Sequence, residues 1–393
     1  MKKILFVHHV SSIGGGSYCL LNLLKEVDRS KFQPIVLLQG NGPLVAEIEK
    51  LGIKVHFLHV LSAFPYNKSL LELSTWISYL RIIYSMVRFR KVLLEIKPDI
   101  LYLNNSMLNH YLKEGKKLGV KTIIHIREHW PLNEHKLQLR WFQQCIYNYA
   151  DRIIAINKYS AQMVPFVEDK TIIVYDWIDF SNRYKEHDLA MLMGESASDK
   201  KVFLFTGGFQ RIKGALEVFK TFSSLCGDDC RLLVLGANRQ DAFAGLRGIV
   251  KRILLHLGYK VMSVRVQEQI LNDRRIVCIP STYAIKDIIE KSYCVLSYFT
   301  IPHANLTLAE SIILKVPMIA ASTPESEEYS SNGKYSKLFS INNLCEFEQA
   351  ILNIDTWRAE LKERLEEGSL FVAEMFDKQL NANRFRQVLD QIN

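Results

Sequence analysis

Short apolar runs alternate with helix-patterned stretches through the first half of this 393-residue chain, and after a polar interval the alternation restarts. The candidate strands of the first series are Ile4–His8, Gln33–Leu38, Lys54–His59, Ile100–Leu103, Thr122–His125, Arg152–Ile156 and Thr171–Val174. A polar stretch, Lys185–Lys200, interrupts the pattern. Strands then recur at Val202–Thr206, Arg231–Leu235, Arg275–Ile279, Cys294–Tyr298 and Pro317–Ala321. Strand and helix in alternation imply a parallel sheet with helices on both faces. The pattern therefore predicts an α/β chain of two doubly wound domains, 1–180 and 181–376, with a junction near residue 180. Ligands of such sheets bind at the carboxyl ends of the strands, so a substrate is expected in a cleft between the domains. A last amphipathic helix, about Asp377 to Ile392, offers Leu380, Phe385, Val388 and Leu389 for packing.

Composition narrows the function class. Hydrophobic residues make up 48% and charged residues 23%, which argues against disorder. The net charge of +9 suits an anionic partner: nucleic acid, a membrane surface or a phosphorylated substrate. No nucleic-acid module accompanies that charge, so nucleic acid is not favoured. The N-terminal run Ile4–Val10 contains His8 and His9 and leads into Ser11-Ser12-Ile13-Gly14-Gly15-Gly16, so a buried strand is expected rather than a signal peptide. No stretch of about 20 uncharged apolar residues is present, so no transmembrane helix is expected. Seven scattered cysteines argue for a reducing compartment, and Cys226 and Cys230 lack the second pair that a zinc site needs.

Four stretches carry chemistry. Phe299–Ser322 reads as an extended run, a turn opening with Pro302-His303, a helix starting near Thr307, and a second strand. Thr307-Leu308-Ala309-Glu310 has capping-box spacing, which places a helix N-terminus here with Glu310 on its first turn. A helix N-terminus at the end of a strand is an anion site, and a carboxylate one turn in can accept hydrogen bonds from ribose hydroxyls. Thr206–Gly214 closes the first strand of the second domain. Gly207 and Gly208 permit close backbone approach, and Arg211 and Lys213 supply charge. Read alone, this is equally a βα turn with surface cations. Ile13–Ser17 brings Gly15 and Gly16 between the first strand and its helix, without the G-x-G-x-x-G spacing of dinucleotide sites. His125-Ile126-Arg127-Glu128 ends another strand; a lone histidine there is more often structural than catalytic, and Arg127 and Glu128 can pair with each other.

These segments resemble, in order and spacing, the family 4 (GT4) glycosyltransferases of the GT-B fold. Glu310 matches the second acidic place of the donor motif, and Pro317-Met318-Ile319-Ala320-Ala321 matches the strand after it; the first acidic place falls on Pro302, like a variant in which Pro-His opens the turn. Gly207, Lys213 and Gly214 match the family's Gly-Arg-x(4)-Lys-Gly, with Gly208 where Arg stands and Arg211 three residues on. Tyr149–Ser160 and Ile173–Asp179 resemble two further family segments near the domain junction. Glu328 falls at a later acidic place, where it reads equally as a solvated charge.

The resemblance implies a GT-B fold of two Rossmann-like domains facing across a cleft, with the C-terminal helix 377–393 crossing back. It implies a nucleotide-sugar donor, no cofactor or metal, and transfer with retention to a glycan or lipid-diphosphate-linked acceptor in surface polysaccharide or glycoconjugate synthesis. Carried over residue by residue, Lys213, Arg211 and His125 take the catalytic places. Gly15, Gly16, Gly207, Gly208, His303, Asn305, Leu306, Thr307 and Glu310 take the donor-binding ones. A non-catalytic sugar-nucleotide-binding relative and a nucleotide-sugar epimerase or hydrolase remain the alternatives. Two basic amphipathic stretches, Leu70–Ile96 and Gly248–Lys260, read either as packed surface helices or as contacts to an anionic membrane. The expected location is cytoplasmic, with the inner membrane face as a peripheral site.

Overall fold

The computed structural model describes residues 1–66, 69–130, 135–178, 188–193, 199–237, 249–250, 253, 273–282 and 285–392. It divides into two compact units, Met1–Trp177 with Phe376–Asn393, and Ile178–Met375. Most of the expected basic stretch Gly248–Lys260 and half of the polar interval Lys185–Lys200 lie outside the described residues.

The first unit holds β1 (Lys2–His8), β2 (Phe32–Leu38), β3 (Lys54–Phe57), β4 (Ile100–Leu103), β5 (Lys121–Ile126), β6 (Arg152–Ala155) and β7 (Thr171–Ile173). They form one parallel sheet in the order β3-β2-β1-β4-β5-β6-β7. Successive residues of β1 enter opposite cores. Leu5 and Val7 pack toward the Leu73–Ile96 and Lys136–Tyr149 helices, while Ile4 and Phe6 pack toward the Gly15–Lys25, Pro43–Lys50 and Lys378–Gln391 helices. With both faces covered, β1 reads as a continuous apolar run rather than an alternating one. In the last helix Phe385, Val388 and Leu389 are buried as expected, but Leu380 is exposed, and Asn381 and Ala382 take the buried side of that turn.

The second unit holds β8 (Lys201–Phe205), β9 (Cys230–Leu235), β10 (Ile276–Ile279), β11 (Cys294–Ser297), β12 (Met318–Ser322) and β13 (Lys337–Ser340). These are also parallel, in the order β10-β9-β8-β11-β12-β13. The twelve expected strands are present, each within a residue or two. The sequence reading missed β13, an edge strand in which only Phe339 is buried, because a single apolar anchor leaves no periodicity to detect.

Each sheet reverses direction once. The chain runs outward from β1 through β2 to β3, then returns to place β4 on the other side of β1. In the second unit it runs from β8 through β9 to β10 and returns to β11. The loops at the carboxyl ends of β1 and β4, and of β8 and β11, therefore flank topological switch points, where open α/β sheets bind ligands.

Candidate functional site

At the switch point of the second unit, two loops are fastened together. Thr206 and Thr307 meet through their hydroxyls at 3.3 Å, and the Thr300 amide donates to the Ile212 carbonyl at 2.9 Å. Gly214 sits at φ 69°, and a Cβ there would lie 2.3 Å from the Tyr298 carbonyl oxygen. The backbones of the β8 and β11 loops thus approach to a distance only glycine allows. Gly208 has φ 56°, and a Cβ would fall 2.8 Å from the Gly236 carbonyl oxygen. Any side chain at this place, arginine included, would be strained twice. A Cβ on Gly207 would strike the Phe205 ring.

Arg211–Lys213 forms a short 3₁₀ turn in this loop. Arg211 is exposed and Lys213 half-buried. Neither has an acceptor or an ion-pair partner among the described residues. Burial lowers the Lys213 ammonium below its ordinary pKa, the signature of a cation drawn from water without a counter-ion.

The helix that follows β11 spans Leu306–Ile313, and its N-cap is Asn305. The expected capping box at Thr307 is corrected here. The Asn305 side chain accepts from the Leu308 amide at 3.3 Å and donates through Nδ2 to Ser297 Oγ at 3.1 Å, so Thr307 lies inside the first turn. Asparagine outranks threonine as a cap because it tolerates the non-helical backbone and presents its oxygen to the third amide. The Leu306 and Thr307 amides lie ahead of the first intrahelical bond and remain available. Glu310 falls just past the first turn. It is 6% exposed, and its carboxylate receives no hydrogen bond among the described residues. Burial pushes its pKa up to about 7, against the opposing pull of Lys286. His303 packs edge-on against Phe299, with ring centroids 5.2 Å apart.

The first unit builds a polar network at its own switch point. Gly14, Gly15 and Gly16 are exposed, and a Cβ on Gly14 or Gly15 would meet nothing within 4 Å. Gly14 is the extended N-cap of the Gly15–Lys25 helix and offers it no side-chain cap. Behind the loop His8 lies between Asn104 Nδ2 (3.2 Å) and Ser17 Oγ (3.3 Å). Burial, helped by His9 and Arg127, lowers its pKa to about 3, so it is neutral. Because Asn104 donates to Nδ1, the His8 proton sits on Nε2 and points at Ser17.

His125 is fully buried, which favours its structural reading. Its Nδ1 lies 2.7 Å from the Tyr102 hydroxyl and 3.3 Å from Arg127 Nη2. Arginine only donates, so Nδ1 accepts and the proton sits on Nε2, which is buried without a partner. Burial and Arg127 hold the pKa well below the ordinary value. The alternative in which Arg127 and Glu128 pair with each other is not seen. Arg127 grips Asp176 and donates from Nε to Asn104 at 3.1 Å, while Glu128 accepts from the Ser106 amide (2.7 Å) and hydroxyl (2.6 Å) and from Asn105. Successive residues past the strand end point to different sides, so neighbours in sequence serve different partners. Asn104, Asn105, Ser106 and Asp176 escaped the sequence reading. The available signal was Asn-Asn-Ser directly after β4, beside β1 at the switch point.

Among the described residues no group of three or more His, Cys, Asp or Glu side chains could hold a metal ion. Glu328 is half-buried at the carboxyl side of β12.

Residues 14–164 match the family described as the glycosyl transferase 4-like domain. Among solved structures, the chain is similar to Anabaena HepE in complex with UDP-glucose, at 16% identity and TM-score 0.74, covering 100% of both chains. It is similar to a glycosyltransferase from Rickettsia africae at 17% identity and TM-score 0.69, covering 100% of this chain and 98% of that one. Sucrose-phosphate synthase from Thermosynechococcus elongatus gives 14% identity and TM-score 0.69, covering 100% and 99%. No curated protein matches the sequence. With its two parallel α/β sheets, the chain has the fold of the GT-B glycosyltransferases.

Proposed function

We propose that this chain is a glycosyltransferase that moves a sugar from a nucleoside-diphosphate sugar to a hydroxyl of a glycan or lipid-linked glycan, with retention at the anomeric carbon. The observation that supports the reading most is the pairing, at one switch point, of a buried carboxylate lacking donors with two cations lacking acceptors. Glu310 lacks hydrogen-bond donors, and the half-buried Lys213 lacks an anion, with the exposed Arg211 in the same turn; a nucleoside diphosphate has ribose hydroxyls for the first and phosphates for the second. The glycosyl transferase 4-like match of residues 14–164 supports the same class independently.

In this reading the bond between the anomeric carbon and the diphosphate oxygen breaks. The acceptor oxygen bonds to that carbon and passes its proton to the departing diphosphate oxygen, and the nucleoside diphosphate leaves with the bonding pair. Lys213, Arg211 and the amides of Leu306 and Thr307 stabilise the charge that develops on the leaving group, which is electrostatic catalysis and needs no acid. Glu310 accepts from the ribose and is ionised while it does so. His125, neutral and enclosed, is a hydrogen-bond donor through Nε2 and not a base.

A panel of UDP-, GDP- and dTDP-sugars, scored by thermal shift and then by transfer to glycan acceptors, tests the proposal. UDP-glucose heads the panel because the HepE structure holds it. The expected result is stabilisation by one nucleotide series and an acceptor-dependent product of unchanged anomeric configuration. No stabilisation by any member overturns the donor reading. Donor breakdown that no acceptor accelerates overturns the transferase reading and favours a hydrolase.

A further inference from the structure

The Leu73–Ile96 helix is apolar on two opposite sides. One side, with Ile82, Phe89, Leu93 and Ile96, packs on the sheet of the first unit. The other carries Leu73, Trp76, Leu80, Ile83, Tyr84 and Val87, all exposed, with Leu80 at 68% and Ile83 at 61%. Their spacing of three and four residues keeps them on one stripe over four turns. A surface helix normally presents charge there. Instead, no acidic residue occurs between Glu72 and Glu95, while Arg81, Arg88, Arg90 and Lys91 do. Arg90 approaches Glu114 at 3.7 Å; the other three have no ion pair among the described residues. The aromatic end continues onto the Lys136–Tyr149 helix. Trp76 stands edge-on to Tyr79 at 5.9 Å, and Tyr79 edge-on to the exposed Trp141 at 6.0 Å.

We propose that this face docks the protein on an anionic lipid bilayer, the helix lying in the interface plane with its apolar stripe in the headgroup region. The chemistry is that of an interfacial helix: an aliphatic stripe, basic residues along it, and tryptophan and tyrosine rings at its rim. No described helix is long and apolar enough to cross a membrane, so this one lies on the surface rather than in a span. Charge decides against a second copy of the chain as occupant. A two-fold contact sets the same patch against itself, and the three unpaired cations Arg81, Arg88 and Lys91 would face their own copies and repel. An anionic bilayer meets both the apolar stripe and the charge. The inference rests on this surface alone and holds whatever the second unit binds.

The test is co-sedimentation of the full chain with vesicles of phosphatidylcholine alone and with an equimolar mixture of phosphatidylcholine and phosphatidylglycerol. Binding to the anionic vesicles should be at least about tenfold tighter and should fall as salt is raised, because the attraction is screened. Arg81→Glu with Arg88→Glu should weaken it at least about tenfold, since each basic residue near the surface contributes about 1 kcal/mol. Leu80→Ser with Ile83→Ser should weaken it at unchanged charge, and circular dichroism should be unaltered because all four residues are exposed. Equal sedimentation with both vesicle types overturns the proposal, as does anionic binding that neither pair of substitutions reduces. Light scattering that shows a dimer, lost in the serine pair, together with no vesicle binding, assigns the face to a second copy and overturns it too.

Discussion

Nη1 of Arg127 lies 2.7 and 2.6 Å from the two carboxylate oxygens of Asp176, enclosed in the first unit. Burial alone would lower the guanidinium's pKa; the Asp176 charge more than offsets it and holds the group charged. That fixed cation in turn makes Nδ1 of His125 an acceptor and orients Asn104 beneath the glycine loop. Asp176 thus governs the protonation of a residue it does not touch.

Asp176→Ala is expected to destabilise the first unit by about 3–5 kcal/mol, because it leaves a buried cation without its partner. Differential scanning calorimetry of the full chain checks this, with the second unit's transition as internal reference. A loss below about 1 kcal/mol would class the pair with solvent-screened bridges and remove its governing role.

Lys213→Ala should lower turnover at least about 100-fold, as loss of one preorganised charge at a leaving group typically does. The side chain makes no hydrogen bond among the described residues, so the melting temperature should hold or rise slightly. Turnover within a few-fold of the parent would return Lys213 to a surface cation of a βα turn.

The strands were legible because both faces of each sheet are covered, which makes runs such as Ile4–Val7 and Val202–Phe205 apolar without a break. The edge strand β13 was not, having one buried side chain. Close spacing in sequence misled twice. Thr307 and Glu310 fit a capping box, yet Asn305 two residues earlier holds the cap; Arg127 and Glu128 adjoin, yet turn to Asp176 and Ser106. Gly208 shows the converse. As a departure from the family's arginine it reads in sequence as a lost charge, and only the backbone shows that its φ and the Gly236 carbonyl exclude any side chain. Asp176 and Asn104 were illegible because their partners lie far along the chain.

Glu310 makes stability and binding depend on pH. Its pKa is about 7 in the folded chain against 4.5 as a free side chain, so the folded state holds the proton more tightly. Stability should therefore fall as pH rises between those values and level off above them, by on the order of 3 kcal/mol. Glu310→Gln removes that slope, and its advantage over the parent should grow from acid to neutral pH. Ribose hydroxyls donating to the ionised carboxylate reverse the shift. UDP should bind the parent more tightly as pH rises through about 7, releasing a proton, and calorimetry in buffers of different ionisation enthalpy reads that release. An identical pH slope in the glutamine variant would detach Glu310 from the nucleotide.

The turn before the helix separates two residues that sequence alone treats alike. Pro302, where the resemblance implies a carboxylate, has neither a side-chain polar atom nor a backbone N–H, so under the proposed function sugar recognition would fall to its neighbours. Asn305 is already committed: its oxygen caps the helix and its amide holds Ser297. Asn305→Ala should cost about 0.5–2 kcal/mol of stability as a lost cap, and it disturbs the same N-terminal amides that would meet the diphosphate. It should therefore weaken bare UDP and the UDP-sugar alike. His303 is half-exposed with its ring against Phe299, and an imidazole can donate to or accept from a sugar hydroxyl. His303→Ala should weaken the UDP-sugar while leaving UDP within a few-fold, since the proposed ribose and phosphate contacts lie on Glu310, Lys213 and the helix. Paired titrations of both variants with both ligands decide the matter. Equal losses for UDP and UDP-sugar in His303→Ala would mean that the turn only shapes the nucleotide pocket, and that the sugar is read elsewhere.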